Sequence, residues 1–286
     1  MSSLPVPEAC LQTALLCADA ARAAIRPLFR TALAIDDKSD ESPVTQADRA
    51  AETALRSLIA GRHGDHAILG EEYGLSGASC DGTGTDIAAS EYVWVVDPID
   101  GTRAFITGRP SFTTLIALFH RGRPVLGIID QPFTQERWIG VKGRTTRFES
   151  PAMPGRVGTR SCPALDRAEL SCTSPEMLVP PWGQSFRQLQ TDVRRTSWGG
   201  DAYAYGLLAL GQIDLIAECT MKPWDWAALV PVVEGAGGIV TDWQGKALTL
   251  ESDGTVLACG DPGLHARAVE RLARRNRDLP PDRTIG

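Results

Sequence analysis

The sequence predicts a mixed fold in which an α+β half precedes an α/β half. In the first half, three short apolar runs between residues 114 and 141 are separated only by turn residues, as in an antiparallel meander. In the second half, after residue 158, helical and strand-like segments alternate, which is typical of an α/β layer. The chain has 286 residues, more than one hydrophobic core usually holds, so we expect two packed subdomains.

The first half begins with two predicted helices. Residues 6–30 are rich in Ala and Leu, with apolar residues at helical spacing, and residues 47–61 show the same spacing. Residues 76–90 are rich in Gly, Ser, Asp and Thr, which predicts a mobile loop. The β-branched and aromatic run Tyr92–Val96 then predicts a strand that ends at Asp97.

The meander follows this strand and completes the first half. Its predicted strands are Thr114–Phe119, Pro124–Ile129 and Arg137–Val141. The stretch Glu149–Gly158 contains two prolines, two glycines and a serine. We place the boundary there, which gives subdomains 1–150 and 151–286.

The second half alternates between the two kinds of element. The predicted strands are Glu169–Thr173, Ile213–Ala217, Gly238–Asp242 and Thr255–Cys259. The predicted helices are Ala202–Leu210, Ala227–Gly235 and Pro262–Arg274. The tail 276–286 is polar and rich in proline, so we expect it to fray.

Composition and charge exclude several classes of protein. The chain is 43% apolar and 22% charged, as in an ordinary globular protein. No apolar run reaches the roughly 18 to 20 residues of a membrane span, and Ala9–Ile25, interrupted by Asp19 and Arg22, does not form a signal peptide. The net charge of −6 disfavours a nucleic-acid-binding protein, which usually has a basic face.

Cysteine spacing indicates a reducing compartment. The chain has seven cysteines, an odd number, without any Cys-x-x-Cys pair. A disulfide framework or a zinc site is therefore disfavoured, and buried reduced thiols in a cytoplasmic protein are expected. The four histidines show no metal-ligand spacing, so no role is predicted for them.

The segment Asp-Pro-Ile-Asp-Gly-Thr after the predicted strand carries chemistry. Asp97 and Asp100 are three residues apart, so both carboxylates can converge on one side of a tight turn that Pro98 fixes. Gly101 leaves space for a ligand to approach the backbone, and Thr102 can begin a helix whose free N–H groups face an anion. Two convergent carboxylates suit Mg²⁺. The alternative, an Asx turn that caps a helix, is the more frequent structure for such a motif alone.

Three further acidic segments accompany this one. They are Gly70-Glu71-Glu72, Trp224-Asp225-Trp226 and the stretch Lys38–Asp48. Each has an ordinary explanation: a solvated strand end, a helix N-cap between aromatic residues, and a polar loop that caps a helix. Their occurrence together in one chain favours a shared metal site.

Taken in order, these segments resemble a known signature set. Ser-Pro-Val-Thr-x-Ala-Asp, Gly-Glu-Glu, Asp-Pro-Ile-Asp-Gly-Thr and Trp-Asp-x-Ala-Ala are similar to the motifs of inositol monophosphatase-like phosphatases, and the resemblance covers about Lys38 to Gly245. It implies a layered αβαβα sandwich, with an antiparallel sheet in an N-terminal α+β part, an α/β C-terminal part, and the metal site at their junction. It also implies a homodimer and inhibition by lithium.

The resemblance implies a ligand set for two Mg²⁺ ions. Glu71, Asp97 and the backbone carbonyl of Ile99 would hold one ion. Asp97, Asp100 and Asp225 would hold the second, with Asp97 as the bridge. Paired divalent ions supply an activated water at neutral pH and relieve charge on the leaving oxygen, and they offset the negative charge of the carboxylates.

The resemblance also implies the remaining catalytic groups. A weaker third ion would lie near Glu71, with help from Asp48. Gly101 and Thr102 would donate hydrogen bonds to the phosphate. Thr102, coupled to Asp48, would help to deprotonate the attacking water, so that Glu71, Thr102 and Asp48 form the implied catalytic group.

Substrate choice depends on residues outside the metal ligands. The runs Gly199–Gly206, Gly101–Gly108 and Val233–Gly238 resemble most closely those of the histidinol-phosphate phosphatase branch. In that branch Asp201 would add a carboxylate beside Glu218, which stands where the family places a glutamate that contacts substrate hydroxyls. Such a pair suits an alcohol that carries an ammonium and an imidazole.

Other positions around this pocket follow from the same resemblance. It places Gly200, Ala202 and Arg103 among the substrate contacts. The alternative for Asp201 is the N-cap of the helix that follows, and the two roles are compatible. Lys222 departs from the common pattern, and Glu218, the substrate phosphate and solvent all remain open as its surroundings.

The sequence thus predicts a Mg²⁺-dependent phosphate monoester hydrolase with two to three ions per site. The predicted reaction is that of a histidinol-phosphatase in histidine biosynthesis, which converts L-histidinol phosphate and water to L-histidinol and phosphate. The alternatives are an inositol-1-monophosphatase, or a broad sugar or nucleotide monophosphatase of the same superfamily. A non-catalytic metal- or phosphate-binding regulator is disfavoured because the acid set is complete. We expect a cytoplasmic homodimer that binds a small phosphate ester and neither nucleic acid nor membrane.

Overall fold

The computed structural model describes residues 6–32, 35–37, 43–77 and 90–273. Its strands are β1 (Ile35–Asp37), β2 (Pro43–Thr45), β3 (Ala67–Gly70), β4 (Gly74–Gly77), β5 (Tyr92–Asp100), β6 (Thr113–His120), β7 (Arg123–Asp130), β8 (Arg137–Val141), β9 (Arg147–Glu149), β10 (Glu169–Cys172), β11 (Arg195–Trp198), β12 (Leu215–Glu218), β13 (Ile239–Thr241) and β14 (Val256–Cys259). Its α-helices are α1 (Glu8–Ile25), α2 (Gln46–Arg62), α3 (Thr102–Ile106), α4 (Gly183–Asp192), α5 (Asp201–Ala209), α6 (Pro223–Trp226), α7 (Leu229–Gly235) and α8 (Pro262–Ala273).

Two large sheets organise these elements. The seven-stranded sheet has the order β4-β3-β5-β6-β7-β8-β9, and its strands from β5 to β9 pair antiparallel with their neighbours in the chain, which confirms the predicted meander. The five-stranded sheet has the order β11-β10-β12-β14-β13. Here β10 is parallel to β11 and β12, whereas β14 is antiparallel to β12 and β13.

The helices complete a five-layer αβαβα sandwich. Helices α1 and α2 cover one face of the seven-stranded sheet, and α5, α6 and α7 lie between the two sheets. Helices α4 and α8 cover the outer face of the five-stranded sheet. The layered fold that the resemblance implies is therefore confirmed. Within the described ranges, no helix combines the length and the hydropathy that crossing a bilayer requires.

Strand β6 shows why the meander is apolar throughout. Ile116 and Leu118 belong to the core beneath α1 and α2. Leu115, Ala117 and Phe119, which point the other way because side chains alternate along a strand, belong to the core shared with the middle helices. Both faces of the sheet are covered, so a continuous apolar run replaces the alternation of a half-exposed strand.

Two glycines allow helix α7 to pack closely against the sheet. Gly127 on β7 and Gly140 on β8 are direct partners in the sheet register. A Cβ on Gly127 would come within 2.1 Å of the carbonyl oxygen of Ala228, and a Cβ on Gly140 within 2.3 Å of the carbonyl carbon of Pro231. The start of α7 therefore rests on bare strand backbone, which no other residue type allows.

Two predicted ends in the first half are wrong. Helix α1 ends at Ile25, and a single 3-10 turn follows, because Pro27 lacks the N–H that would continue the helix past it. The strand predicted to stop at Asp97 continues as β5 to Asp100, with an irregularity in its pairing between those residues. Pro98 sits within this strand rather than in a tight turn.

The second half agrees with the predicted elements to within about two residues, apart from local differences. Strand β12 begins at Leu215, not at residue 213, α7 begins at Leu229, not at residue 227, and the short helix α6 before it was not predicted. Helix α4 and strands β1, β2, β4, β9 and β11 were not predicted, because most of them are short or polar. Ser76 and Gly77 belong to β4 rather than to a loop, whereas residues 78–89 and the tail lie outside the described residues. The division near residue 150 stays a proposal.

Candidate active site

An interruption in strand β5 positions the first two carboxylates. Asp97 is only 2% exposed, and its carboxylate accepts a hydrogen bond from the backbone N–H of Ile99 at 3.0 Å. The hydroxyl of Thr114 on β6 donates to the carbonyl of Pro98 at 2.8 Å, in the stretch where the strand pairing shifts. The strand therefore stays attached to the sheet while Asp97 and Asp100 turn their carboxylates toward a common point.

Helix α6 delivers the third carboxylate. Asp225 accepts the backbone N–H of Lys222 at 2.7 Å, which closes the short helix around it. The buried indole of Trp226 packs edge-on against Phe119 of β6, with ring centroids 6.0 Å apart. Asp97, Asp100 and Asp225 thus meet, and each offers an oxygen within 4.8 Å of those of the other two.

The start of helix α5 closes the site from the other side. The backbone N–H of Ala202 donates to Asp100 at 2.7 Å. The N-cap position belongs to Gly200, and Asp201, with a φ of +44°, is the first residue of the helix. The alternative in which Asp201 is itself the N-cap is therefore wrong by one position. The carboxylate of Asp201 lies instead against Gly101, whose own φ is +84°.

The electrostatics of this cluster suit a hard cation. Burial raises the pKa of Asp97 well above its usual range, and the charges of Glu71, Asp100 and Asp225 raise it further. Burial likewise raises the pKa of Asp100, and that of Asp225 to about 7. Three converging carboxylates that repel one another, one buried and two partly buried, are the donor set that Mg²⁺ takes. The residues present therefore fit the metal that the sequence implies.

Glu71 and Asp48 lie beside the three aspartates. Glu71 follows β3, and its backbone N–H donates to the carbonyl of Val96 at 3.3 Å, next to Asp97. Asp48 is 1% exposed and accepts both the N–H and the hydroxyl of Thr45, at 2.9 and 2.5 Å. Its other oxygen, Oδ1, is buried and has no hydrogen-bond partner among the described residues. Burial raises the pKa of Asp48, and the charge of Glu71 contributes.

One predicted coupling, that of Thr102 to Asp48, is not formed in the structure. The hydroxyl of Thr102 donates to the carbonyl of Ile99 at 3.2 Å, so it makes no direct hydrogen bond to Asp48 here. Asp48 is held instead by the capping interaction with Thr45 at the start of α2. Arg103 is exposed and pairs with Glu176, also at the surface.

Glu218 is part of the wall of the site. It is 2% exposed at the end of β12, and its two oxygens accept the N–H of Thr173 at 2.7 Å and the hydroxyl of Tyr205 at 2.8 Å. Burial raises its pKa. Glu218 therefore positions Thr173 and Tyr205. A substrate could hydrogen-bond only to the lone pairs of Glu218 that these two residues leave free. Lys222 is exposed.

A cavity of about 540 Å³ opens beside Asp201. It lies at the C-terminal ends of the three parallel strands β10, β11 and β12, where ligands of α/β sheets bind. Its lining is Arg103, Arg109, Thr173, Ser174, Glu176, Met177, Trp198, Gly199, Asp201 and Thr220. Sequence reasoning missed Arg109 and Trp198. Trp198 adjoins the Gly-Gly-Asp run, which was the one available signal.

A second group of metal-binding residue types lies between α1 and α2. Ligand atoms of Cys10, His63 and His66 come within 4.8 Å of one another, although the spacing of these residues in the chain predicted no role. The two imidazoles stack at 14° with centroids 4.7 Å apart. A ring nitrogen holds an ion in the plane of its ring, and these nearly parallel planes do not meet at one ion. The indole N–H of Trp94 already donates to Nδ1 of His66 at 3.0 Å, so this group is packing rather than a metal site.

Known proteins share this architecture. A model of the inositol monophosphatase family matches residues 7–277. The chloroplastic bifunctional phosphatase IMPL2 of Arabidopsis thaliana is 45% identical over 262 residues, covering 89% of this chain and 72% of the relative. The histidinol-phosphatase of Mycobacterium tuberculosis is 38% identical over 241 residues, covering 83% and 88%. An inositol monophosphatase structure from Zymomonas mobilis has a TM-score of 0.80 at 46% identity, covering 93% and 98%.

Proposed function

Since the chain belongs to the inositol monophosphatase family, we propose that it is a Mg²⁺-dependent histidinol-phosphatase. Family membership supports a hydrolase that acts on phosphate monoesters. The proposal adds the substrate, L-histidinol phosphate, and the ion. The observation that carries it is the carboxylate of Asp201, which lies between the phosphate-side residue Gly101 and the cavity.

The metal assignment rests on the converging acids. We assign Asp97, Asp100 and Asp225 to one Mg²⁺, and Glu71, Asp97 and the carbonyl of Ile99 to another. A third, weaker ion would be held near Glu71 through water, with help from Asp48. When bound, Mg²⁺ offsets the negative charge on the phosphate and makes a water acidic enough to attack at neutral pH.

The remaining steps belong to the residues of the chain. Backbone N–H groups in the first turn of a helix lack intrahelical acceptors, so we assign Gly101 and Thr102, at the start of α3, to the phosphate. Once its hydroxyl turns away from the carbonyl of Ile99, Thr102 would take the proton of the attacking water as it gives its own hydroxyl proton to Asp48. The buried Oδ1 of Asp48, which has no hydrogen-bond partner among the described residues, would accept that proton.

The substrate assignment rests on charge and on relatives. The alcohol of L-histidinol phosphate carries an ammonium and an imidazole, and a buried carboxylate beside it would form a charge-assisted hydrogen bond. We assign this role to Asp201, with Glu218 behind the wall, and place Gly200, Ala202 and Arg103 around the same alcohol. Histidinol-phosphatases of Mycobacterium tuberculosis and Chlorobaculum parvum are 38% and 32% identical to this chain.

A second candidate is the hydrolysis of inositol 1-phosphate. It is favoured by the 46% identity to the Zymomonas mobilis protein, which is described as an inositol monophosphatase. An inositol carries hydroxyls and no cation, so Asp201 would gain less from binding it. The two candidate substrates therefore differ in the charge of the alcohol, and this charge should determine which of them is hydrolysed faster.

A comparative assay tests the proposal. Purified protein with Mg²⁺ would be given L-histidinol phosphate, inositol 1-phosphate and adenosine 3′,5′-bisphosphate in parallel. We expect the highest kcat/KM for L-histidinol phosphate. A clear preference for inositol 1-phosphate would contradict the proposal, and turnover unchanged by Asp100→Asn would contradict the assignment of the metal ligands.

Two further properties, the location of the protein and its oligomeric state, are also proposed. The six cysteines that the structure describes are free and buried, which supports a location in a reducing compartment such as the cytoplasm. A homodimer is proposed from family resemblance alone, and sedimentation of the purified protein tests it.

A further inference from the structure

Trp198 presents an aromatic face to the cavity. It is the last residue of β11, at the edge of the five-stranded sheet, and it is 39% exposed. Phe186 of α4 packs against its ring at 5.7 Å between centroids, tilted by 41°. The indole is therefore supported from behind while a large part of its surface remains open. An aromatic ring held in this way keeps its orientation when a ligand arrives.

The indole of Trp198 is close in sequence to a residue on the phosphate side of the site. Only Gly199 and Gly200 separate Trp198 from Asp201, and Asp201 lies against Gly101. Gly199 has a φ of +85°, and a Cβ there would come within 3.3 Å of the guanidinium of Arg109. Arg109 therefore packs directly against this turn. A substrate whose phosphate lies at Gly101 would pass Asp201 first and meet the indole next.

Charge alone does not explain selection in this cavity. Its lining carries two arginines, Arg103 and Arg109, and two acids, Glu176 and Asp201, so the formal charges cancel. Arg103 is paired with Glu176, and Arg109 donates to Thr107 at 3.2 Å. Selection of the substrate therefore also needs an uncharged side chain beside Asp201 whose surface matches the shape of the substrate. Trp198 is the aromatic side chain among the lining residues.

We propose that Trp198 is a specificity residue, whose indole stacks on the flat ring of the substrate alcohol while Asp201 binds the polar edge of that alcohol. The inference rests on the proposed function, because it takes the imidazole of L-histidinol phosphate as the ring. Stacking of a cationic or aromatic ring on tryptophan is worth about 0.5 to 2 kcal/mol, or roughly 2- to 30-fold in affinity. The contact needs no hydrogen bond, so it discriminates a ring from a chain of hydroxyls.

The test compares two esters on three proteins. L-Histidinol phosphate has the ring, and glycerol 2-phosphate has the same phosphate without it. Wild type, Trp198→Ala and Trp198→Phe would be assayed with Mg²⁺. For Trp198→Ala we expect kcat/KM for L-histidinol phosphate to fall about 10-fold, mostly through KM, with the value for glycerol 2-phosphate unchanged within about 2-fold. Trp198→Phe should recover most of the loss, because it restores a stacking face.

The outcomes separate the inference from the function on which it rests. Equal losses on both esters, or no loss on either, would overturn the role of Trp198 while the histidinol-phosphatase proposal stands. A wild-type protein that cleaves glycerol 2-phosphate but not L-histidinol phosphate would overturn both. A thermal melt of each variant shows whether it is folded, and Trp198→Leu, which keeps apolar bulk without a stacking face, takes the place of Trp198→Ala if that variant does not fold.

Discussion

The carboxylate of Asp201 occupies the space that a side chain on residue 101 would need. A Cβ built on Gly101 would stand 2.9 Å from Cγ of Asp201 and 3.0 Å from its Oδ2. The motif on β5 and the start of α5, about a hundred residues apart in the chain, are therefore in direct contact. The residues proposed to bind the phosphate and the alcohol meet at this contact, so a change on either side should affect the other.

Gly101→Ala should abolish most of the activity. The new methyl group would displace Asp201 and strain a backbone whose φ is +84°, and a displacement of about 1 Å in such a site costs roughly 100-fold in rate. Gly122→Ala is a matched control, because Gly122 has a φ of +71° with nothing within 4 Å of the added Cβ. Both variants should lose about 1 to 2 kcal/mol of unfolding free energy. Only Gly101→Ala should lose kcat/KM, and similar activity in the two would refute the contact.

Without metal, the protein should become less stable as the pH rises from about 4 to about 8. Burial raises the folded-state pKa of Asp97, Asp100 and Asp225, that of Asp225 to about 7. The folded state therefore holds protons that the unfolded state releases near pH 4, and the stability that these protons provide is lost as the pH rises through the folded-state values. Tm measured in a chelator over this range checks the direction.

Mg²⁺ should reverse this loss, since it takes the place of the protons. We expect the increase in Tm on adding Mg²⁺ to be larger near pH 8 than near pH 5. Asp225→Asn, which removes one of the shifted carboxylates, should flatten the pH dependence and reduce the response to Mg²⁺. A Mg²⁺ response that is equal at both pH values would argue against these residues as the ligands.

Asp201→Asn should change the choice of ester more than the rate of reaction. Loss of a charge-assisted hydrogen bond of about 1.5 to 3 kcal/mol should lower kcat/KM for L-histidinol phosphate roughly 10- to 150-fold. Inositol 1-phosphate, which carries no cation, should be affected much less. Glu176→Gln is the control, because this exposed acid lines the same cavity but pairs with Arg103. A uniform loss on both esters would assign Asp201 to structure rather than to selection.

Asp130→Asn should destabilise the fold without touching the chemistry. Asp130 is fully buried and binds Arg22 of α1 at 2.6 Å and Arg137 of β8 at 2.6 Å. Breaking such a buried network costs about 3 to 5 kcal/mol. The control Glu149→Gln removes an exposed pair with Arg147 and should cost less than about 1 kcal/mol. Urea unfolding measures both, and kcat of the folded fraction should stay at the wild-type value.

The convergence of the three aspartates is the part of the candidate site most accessible from sequence. Asp97, Asp100 and Asp225 lie in compact motifs, and their side-chain chemistry alone limits what they do when they converge. The layered fold followed from the same resemblance. The continuation of β5 past Pro98 was not accessible, because it depends on the hydroxyl of Thr114, which lies on a different strand.

The alcohol side of the site was harder to predict for a physical reason. Strand β11 is a polar edge strand, so it has no apolar alternation that would reveal it. Whether Trp198 is covered or open depends on α4 and on the cavity, which are properties of the assembled fold. The position of Asp201 likewise depends on the assembled fold, because Asp100, about a hundred residues earlier in the chain, binds the backbone N–H of the next residue, Ala202.

The separation between Asp225 and Asp97, which belong to the proposed metal site, depends on residues that have no functional group. Asp225 lies just before helix α7. The distance of that helix from the sheet is short because the two strand residues beneath its start, Gly127 and Gly140, have no side chains. A methyl group at either position would widen the gap between Asp225 and Asp97 while leaving every ligand in the sequence. In an activity assay such a variant would resemble the loss of a metal ligand, although the substituted residue would be a glycine on a strand beneath the helix.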